Sequence, residues 1–184
     1  MKRISKQATR STHHSFSIID QTLIEEKANH AKDNARLREI HNFHNSDEAT
    51  LHRMLNALQP KSYIMPHRHL KDPKEETIIV LQGSLGCMCF EDDGGIIEDS
   101  MCYLSLNSNQ IGIDIRVGVW HTIFALEPDT VVFEVKSGPY KKASDKEFAS
   151  WAPDYNSEKT IEYLAHLEDA LRQKFNLKKR GWTI

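Results

Sequence analysis

Between residues 51 and 136 the chain breaks into short runs rich in Val, Ile, Phe, Tyr and Cys, each closed by turn chemistry, and this punctuation constrains the fold most. The runs are LHRMLNAL, SYIMPHRH, ETIIVLQ, SLGCMCFE, SMCYLSL, IGIDI, HTIFAL and TVVFEVK. Between them lie Gln-Pro-Lys, Lys-Asp-Pro, Gln-Gly, Asp-Asp-Gly-Gly, Asn-Ser-Asn, Arg-Val-Gly and Glu-Pro-Asp. Short strands recurring at roughly 8–12-residue spacing build a β-sandwich or barrel. No helical period separates them, which argues against β-α-β units. An all-β core over 51–140 is therefore expected.

The flanks read differently. Residues 1–15, basic and without an apolar stretch, are expected to be a disordered arm. Residues 16–50 read as a helical lead-in and polar loop. The helix spans 20–35, with Asp20 as N-cap and Leu23, Ile24, Ala28 and Ala31 as its apolar stripe. Residues 141–184 read as a C-terminal helical extension. Within it, SDKEFASW suggests a short helix and 157–175 a clear one. Ser157 would cap that second helix, and Ile161, Leu164, Leu167, Leu171 and Phe175 fall on one stripe. This amphipathic helix would either cover a sheet or build a dimer.

The chain has 184 residues, long enough to bury a core without disulfides, and its net charge of −2 gives no global attraction to nucleic acid or anionic membranes. Its basic ends are short and lack an interleaved aromatic platform, so no nucleic-acid partner is expected. No apolar run approaches the roughly 20 residues that span a bilayer. With no secretory h-region at the N-terminus, a cytoplasmic location is expected. Three cysteines, Cys87, Cys89 and Cys102, do not make a disulfide framework. Cys87 and Cys89 share one strand face. They are either small buried apolar residues or thiols close to a functional site.

The chemistry concentrates in Pro66-His67-Arg68-His69 and the segment after it. Two histidines two apart on a strand project from one face. Asp72-Pro73 turns the chain, and Glu76 then returns antiparallel, close to both imidazoles, before a hairpin at Gly83. Glu75 is a rival for the same role. Gly118-Val119-Trp120-His121 opens a later strand that can lie beside the first pair in a closed barrel. Three histidines and a carboxylate suit Zn, Fe, Ni, Co or Mn rather than Ca or Mg, and leave room for water or substrate.

His-x-His, then Glu-(x)6-Gly, then Gly-x-x-His resembles the two signature motifs of the cupin superfamily. The resemblance implies a double-stranded β-helix (jelly-roll) barrel with an N-terminal helix and a C-terminal amphipathic helix. It also implies one divalent transition metal on His67, His69, Glu76 and His121. The Glu-to-Gly spacing favours Glu76 over Glu75. The loop from His69 to Glu76 is longer than the family's usual one. Arg116 stands where a Pro is usual, and Ala125 where an Asn is usual, so no role for that Asn carries over.

HNFHNSDEATLHRMLNAL, SYIMPHRH, the Trp120-His121 pair and EVKSGPYKKASDKEFASWAP further resemble the WbuC-type cupin-fold metalloproteins over most of 20–155. That group tends to be encoded with bacterial O-antigen and surface-polysaccharide genes. The resemblance implies a small-molecule substrate and a homodimer, and no particular reaction.

Tyr63, four residues before His67, would face the pocket. Tyr63 and Glu134 are the candidate acid/base residues, and Arg53, Tyr63 and Arg116 the candidate substrate anchors. Arg68 alternates away from the histidines. The expected function is a metal-dependent isomerase or epimerase of a small sugar-derived or anionic metabolite. An iron-dependent oxygenase or a non-catalytic metal- or sugar-binding accessory protein are the alternatives.

Overall fold

The structure, a computed structural model, describes residues 1–182. Every run singled out above carries a strand, although SYIMPHRH yields only two strand residues. In chain order these are β1 (Lys2–Ser5), β2 (Ala8–Arg10), α1 (Gln21–Lys32), β3 (Arg38–Asn42), β4 (Leu51–Leu58), β5 (His67–Arg68) and β6 (Glu76–Gln82). There follow β7 (Ser84–Phe90), a 3-10 turn (Glu98–Ser100), β8 (Cys102–Ser105), β9 (Gly112–Ile115), β10 (Trp120–Ala125), β11 (Thr130–Ser137), β12 (Glu147–Phe148) and α2 (Thr160–Lys174).

One sheet has the order β1-β2-β3-β4-β11-β6-β9 and the other β12-β5-β10-β7-β8. From β4 to β7 and from β8 to β11 the chain passes back and forth between them. That alternation is a double-stranded β-helix, the jelly-roll arrangement. Pairing is antiparallel except between β2 and β3.

Period-2 alternation divides each strand between two faces. On β10, His121, Ile123 and Ala125 face the seven-stranded sheet, while Trp120 and Phe124 face outward. The inward set packs with Leu58, Ile78, Val80, Leu85, Cys87, Leu104, Ile115 and Val132 into a core drawn from both sheets. Burying each such side chain stabilises the fold by roughly 1.5–3 kcal/mol.

Each helix covers the outside of one sheet. Asp20 caps α1, accepting from the Leu23 N–H at 2.9 Å, and Ile24, Ala28 and Ala31 bury against Leu55, Ala57 and Val131. α2 lays Leu164, Leu167 and Leu171 on Met88, Phe90 and Phe124 of the five-stranded sheet. Its apolar stripe therefore covers a sheet, not a dimer seam. The approach is close: a Cβ on Gly86 would stand 2.5 Å from Phe124 and 3.0 Å from Leu171. Beneath α2, buried Glu168 pairs with Arg172 at 2.6 Å and Arg180 at 2.8 Å, and both arginines donate to the Leu126 carbonyl.

Four local expectations are corrected. Residues 1–15 are not wholly a disordered arm, because β1 and β2 form a hairpin on the edge of the larger sheet. Its register matches β3, and Arg3 reaches the buried Glu39 at 2.5 Å. The polar stretch after α1 contains strand β3, whose Glu39 and His41 are buried; charged residues masked the alternation. SDKEFASW forms the extended strand β12 because its backbone docks on β5. At α2 the helix begins at Thr160, and Ser157 caps the preceding turn by accepting from the Lys159 N–H.

Candidate metal centre

His67, His69, Glu76 and His121 converge in the barrel interior, all four buried, with one ligand atom from each lying within 4.8 Å of the others. His67 and His121 are register partners across β5 and β10. Glu76 does not return beside the histidines in one sheet, as the sequence suggested. β5 and β6 belong to opposite sheets, so the carboxylate reaches the imidazoles across the interior. Gly118 precedes His121 with φ +78°, a conformation that favours glycine, and its N–H donates to the His69 carbonyl.

The histidine tautomers follow from their partners. His67 Nδ1 lies 2.9 Å from the Met65 carbonyl and His121 Nδ1 2.9 Å from the Val119 carbonyl, while His69 Nδ1 meets the Asp145 carbonyl. A carbonyl only accepts, so each Nδ1 carries the proton and donates it. In the neutral imidazole each Nε2 is then a bare lone pair. All three Nε2 atoms are buried without a hydrogen-bond partner. Yet His69 Nε2 stands 2.9 Å from one Glu76 oxygen and His121 Nε2 3.3 Å from the other. With neutral rings, acceptors facing acceptors at these distances suit a cation held between them. Second-sphere carbonyls that fix Nδ1–H and aim Nε2 inward are the usual support of metal-bound histidine. The residues therefore fit a divalent transition metal.

The charges agree. Burial, followed by the Lys146 ammonium, holds His67 well below its ordinary 6.5, so its imidazole is neutral. Burial alone would raise the Glu76 pKa, but the Lys136 ammonium holds it well below the usual range. Lys136 Nζ lies 3.2 Å from Glu76, 3.6 Å from Glu134 and 3.7 Å from Asp145. Lys74 anchors the far side of Asp145 at 2.8 Å and donates to the Pro139 carbonyl at 2.7 Å. Glu134 accepts from the Asn56 amide, and burial first, then the Glu76 charge, raises its pKa. Glu134 and Lys136 are thus an interior pair, not edge charges.

Other candidates lie elsewhere. Tyr63 is turned away into the core under α2, its hydroxyl donating to the Pro153 carbonyl at 2.7 Å and its ring packing on Tyr155 and Tyr163. The chain from Tyr63 to Pro66 is not a strand, so the assumed alternation from Tyr63 to His67 fails there. Arg53 is exposed on the outer face of β4, lining a surface groove with His13, Phe16 and Phe43. Arg116 is exposed and 3.7 Å from Glu75, which removes Glu75 from the cluster. Arg68 faces outward over the Trp120 ring, paired with Glu147. Cys87 lies in the apolar core, while Cys89 is the register partner of His121 across β7 and β10.

Sequence reading missed Asn56, Lys74, Asp145, Lys146 and Phe148. The last three belong to the segment expected to be helical. The Phe148 ring stands 6.2 Å from that of His67.

The model of a domain of unknown function (DUF6016) matches residues 19–102, just under half of the chain, and so includes His67, His69 and Glu76 but not His121. No curated protein matches the sequence. Among solved structures, the capsular polysaccharide assembling protein CapF from Staphylococcus aureus is similar at 21% identity and TM-score 0.48, with 59% of this chain matching 28% of that one. KdgF from Halomonas sp. is similar at 18% identity and TM-score 0.43 over 58% of this chain and 82% of its own. Oxalate decarboxylase from Bacillus subtilis is similar at 18% and 0.41, over 71% and 29%. The chain thus spans under a third of the length of the CapF and oxalate decarboxylase chains.

Proposed function

We propose that this chain binds one divalent transition metal through His67, His69, Glu76 and His121 and acts with it as an enzyme on a small sugar-derived or anionic metabolite. The observation that carries the reading is the convergence of three buried, partnerless Nε2 lone pairs on the Glu76 carboxylate. A bound metal would supply Lewis acidity toward a carbonyl or hydroxyl oxygen. Around it this chain's residues do the rest. Glu134, buried beside Lys136 and Asn56, is the group that holds or moves a proton. Lys136 keeps Glu76 ionised, and the strap carrying Asp145 fixes the His69 ring. An isomerisation suits such a site, because one acid/base group can carry a proton between neighbouring carbons with no second substrate; an epimerisation would also need a proton donor on the opposite face. A sugar-derived substrate, a surface-polysaccharide setting, a homodimer and the WbuC-type grouping rest on the sequence resemblance. A cytoplasmic location rests on the reading of the N-terminus; among the described residues no helix is long and apolar enough to cross a membrane.

Elemental analysis of the purified protein beside Glu76→Ala and His121→Ala tests the reading. About one equivalent of metal in the parent and almost none in either variant is expected. No uptake by the parent, even after reloading with divalent ions, overturns it.

A further inference from the structure

β12 pairs antiparallel with β5, Phe148 opposite His67 and Glu147 opposite Arg68. Extended by one residue, that register would bring Lys146 opposite His69, next to the Asp145 carbonyl that the His69 ring meets. Alternation puts Lys146 and Phe148 on one face and Glu147 on the other. Phe148 is on the metal-site face, since its ring lies 6.2 Å from that of His67. Lys146 therefore points toward the cluster. Its electrostatic neighbours agree: they are Lys136, Glu76, Glu134 and Tyr155.

The other two lysines here are committed. Lys136 is shared by Glu76, Glu134 and Asp145, and Lys74 by Asp145, Asp72 and the Pro139 carbonyl. Lys146 makes no ion pair and no hydrogen bond among the described residues. Lys146 is partly exposed, so its unpaired ammonium is open to an anion that enters beside the cluster. The charge balance points the same way. Glu76, Glu134, Asp145 and the partly exposed Asp72 face three lysines, so a divalent ion leaves the pocket net positive. No arginine lies among the groups paired around the cluster, so there is no planar guanidinium fork of the kind that suits phosphate.

We propose that Lys146 anchors the carboxylate of a substrate that also reaches the metal through a neighbouring oxygen, which makes the preferred ligands α-hydroxy or α-keto acids. The inference rests on the metal reading above and adds the substrate class and its anchoring residue. Phe148, half-exposed beside His67, forms the apolar wall against which the carbon skeleton lies. The free amine and the metal bind two atoms of one ligand, so the acid is held in a single orientation with Glu134 on the buried side.

The test uses the Co(II)-loaded protein, whose visible absorption reports the inner coordination sphere. Glycolate and pyruvate are titrated, with lactamide and inorganic phosphate as controls, against the parent, Lys146→Met and Lys146→Arg. Both acids are expected to shift the spectrum. Lys146→Met should bind them about tenfold or more weakly, the scale of one lost charge-assisted hydrogen bond. Lys146→Arg should recover part of that loss, and all three proteins should hold equal cobalt. Equal cobalt with acid binding indifferent to Lys146→Met overturns the anchor and leaves the metal centre standing. So does lactamide or phosphate binding as tightly as the acids, or no response to either acid. Absence of cobalt in the parent overturns the metal reading, and the anchor with it.

Discussion

The two ends of the barrel interior are made by the same strands and have opposite chemistry. On β10, His121 belongs to the metal cluster, while Ile123 and Ala125, two and four residues further on the same face, belong to the apolar core. β6 runs from Glu76 to Ile78 and Val80, and β11 from Val132 to Glu134 and Lys136, with the same change of character. One end is held by non-directional burial. The other holds carboxylates, ammonium groups and imidazoles that are each unfavourable alone and tolerable only as a satisfied set. A strand in this fold therefore specifies a stable end and a reactive end, and the step between them is two residues.

Moving a charge across that step should have the largest effect. Ile123→Asp places a carboxylate opposite Cys87, among apolar side chains with no partner. It should destabilise the protein by about 3–5 kcal/mol, the cost of an uncompensated buried charge, or prevent folding. Cys89→Asp, opposite His121 at the polar end, should cost less than half as much. Denaturant midpoints measure both, and equal costs would dissolve the distinction between the ends.

Removing metal should affect one end only. At a free metal concentration of 1,000 times the dissociation constant, binding adds about 4 kcal/mol of stability. Chelation should lower the melting temperature accordingly. Hydrogen exchange should rise first around His67, His121 and the β12 strap, and later at β7 and β8.

The smallest effect lies outside both ends. His41 is buried with Thr9 at 2.8 Å, and burial, then the Lys27 ammonium, lowers its pKa from 6.5 to about 4. His44 is lowered to about 4 by burial, then by His52 stacked 4.0 Å away. A depressed histidine pKa means that the unfolded chain takes up the proton first. Stability is therefore fully present above 6.5 and falls as pH drops from about 6.5 to about 4. In His41→Gln the slope of stability against pH in this window should be shallower. An unchanged slope would assign the acid sensitivity to other groups.

The strand runs, most strand faces, the Asp20 cap and the α2 stripe are legible along the chain, and the His67, His69, Glu76 and His121 set is legible as what the cupin-like motifs imply. Each depends on a period or a spacing within a few residues, which local sterics enforce. Long-range pairing is what brings Glu76 in from the opposite sheet and turns Tyr63 into the core. The same long-range pairing makes residues 2–10 an edge hairpin and brings Asp145, Lys146 and Phe148 in on and just before strand β12 instead of on a helix. These depend on which backbones find unpaired partners and on where buried charge can be balanced. Such pairings join residues far apart in the chain, as in Asp145 with His69 or Lys136 with Glu76, and no local pattern encodes them.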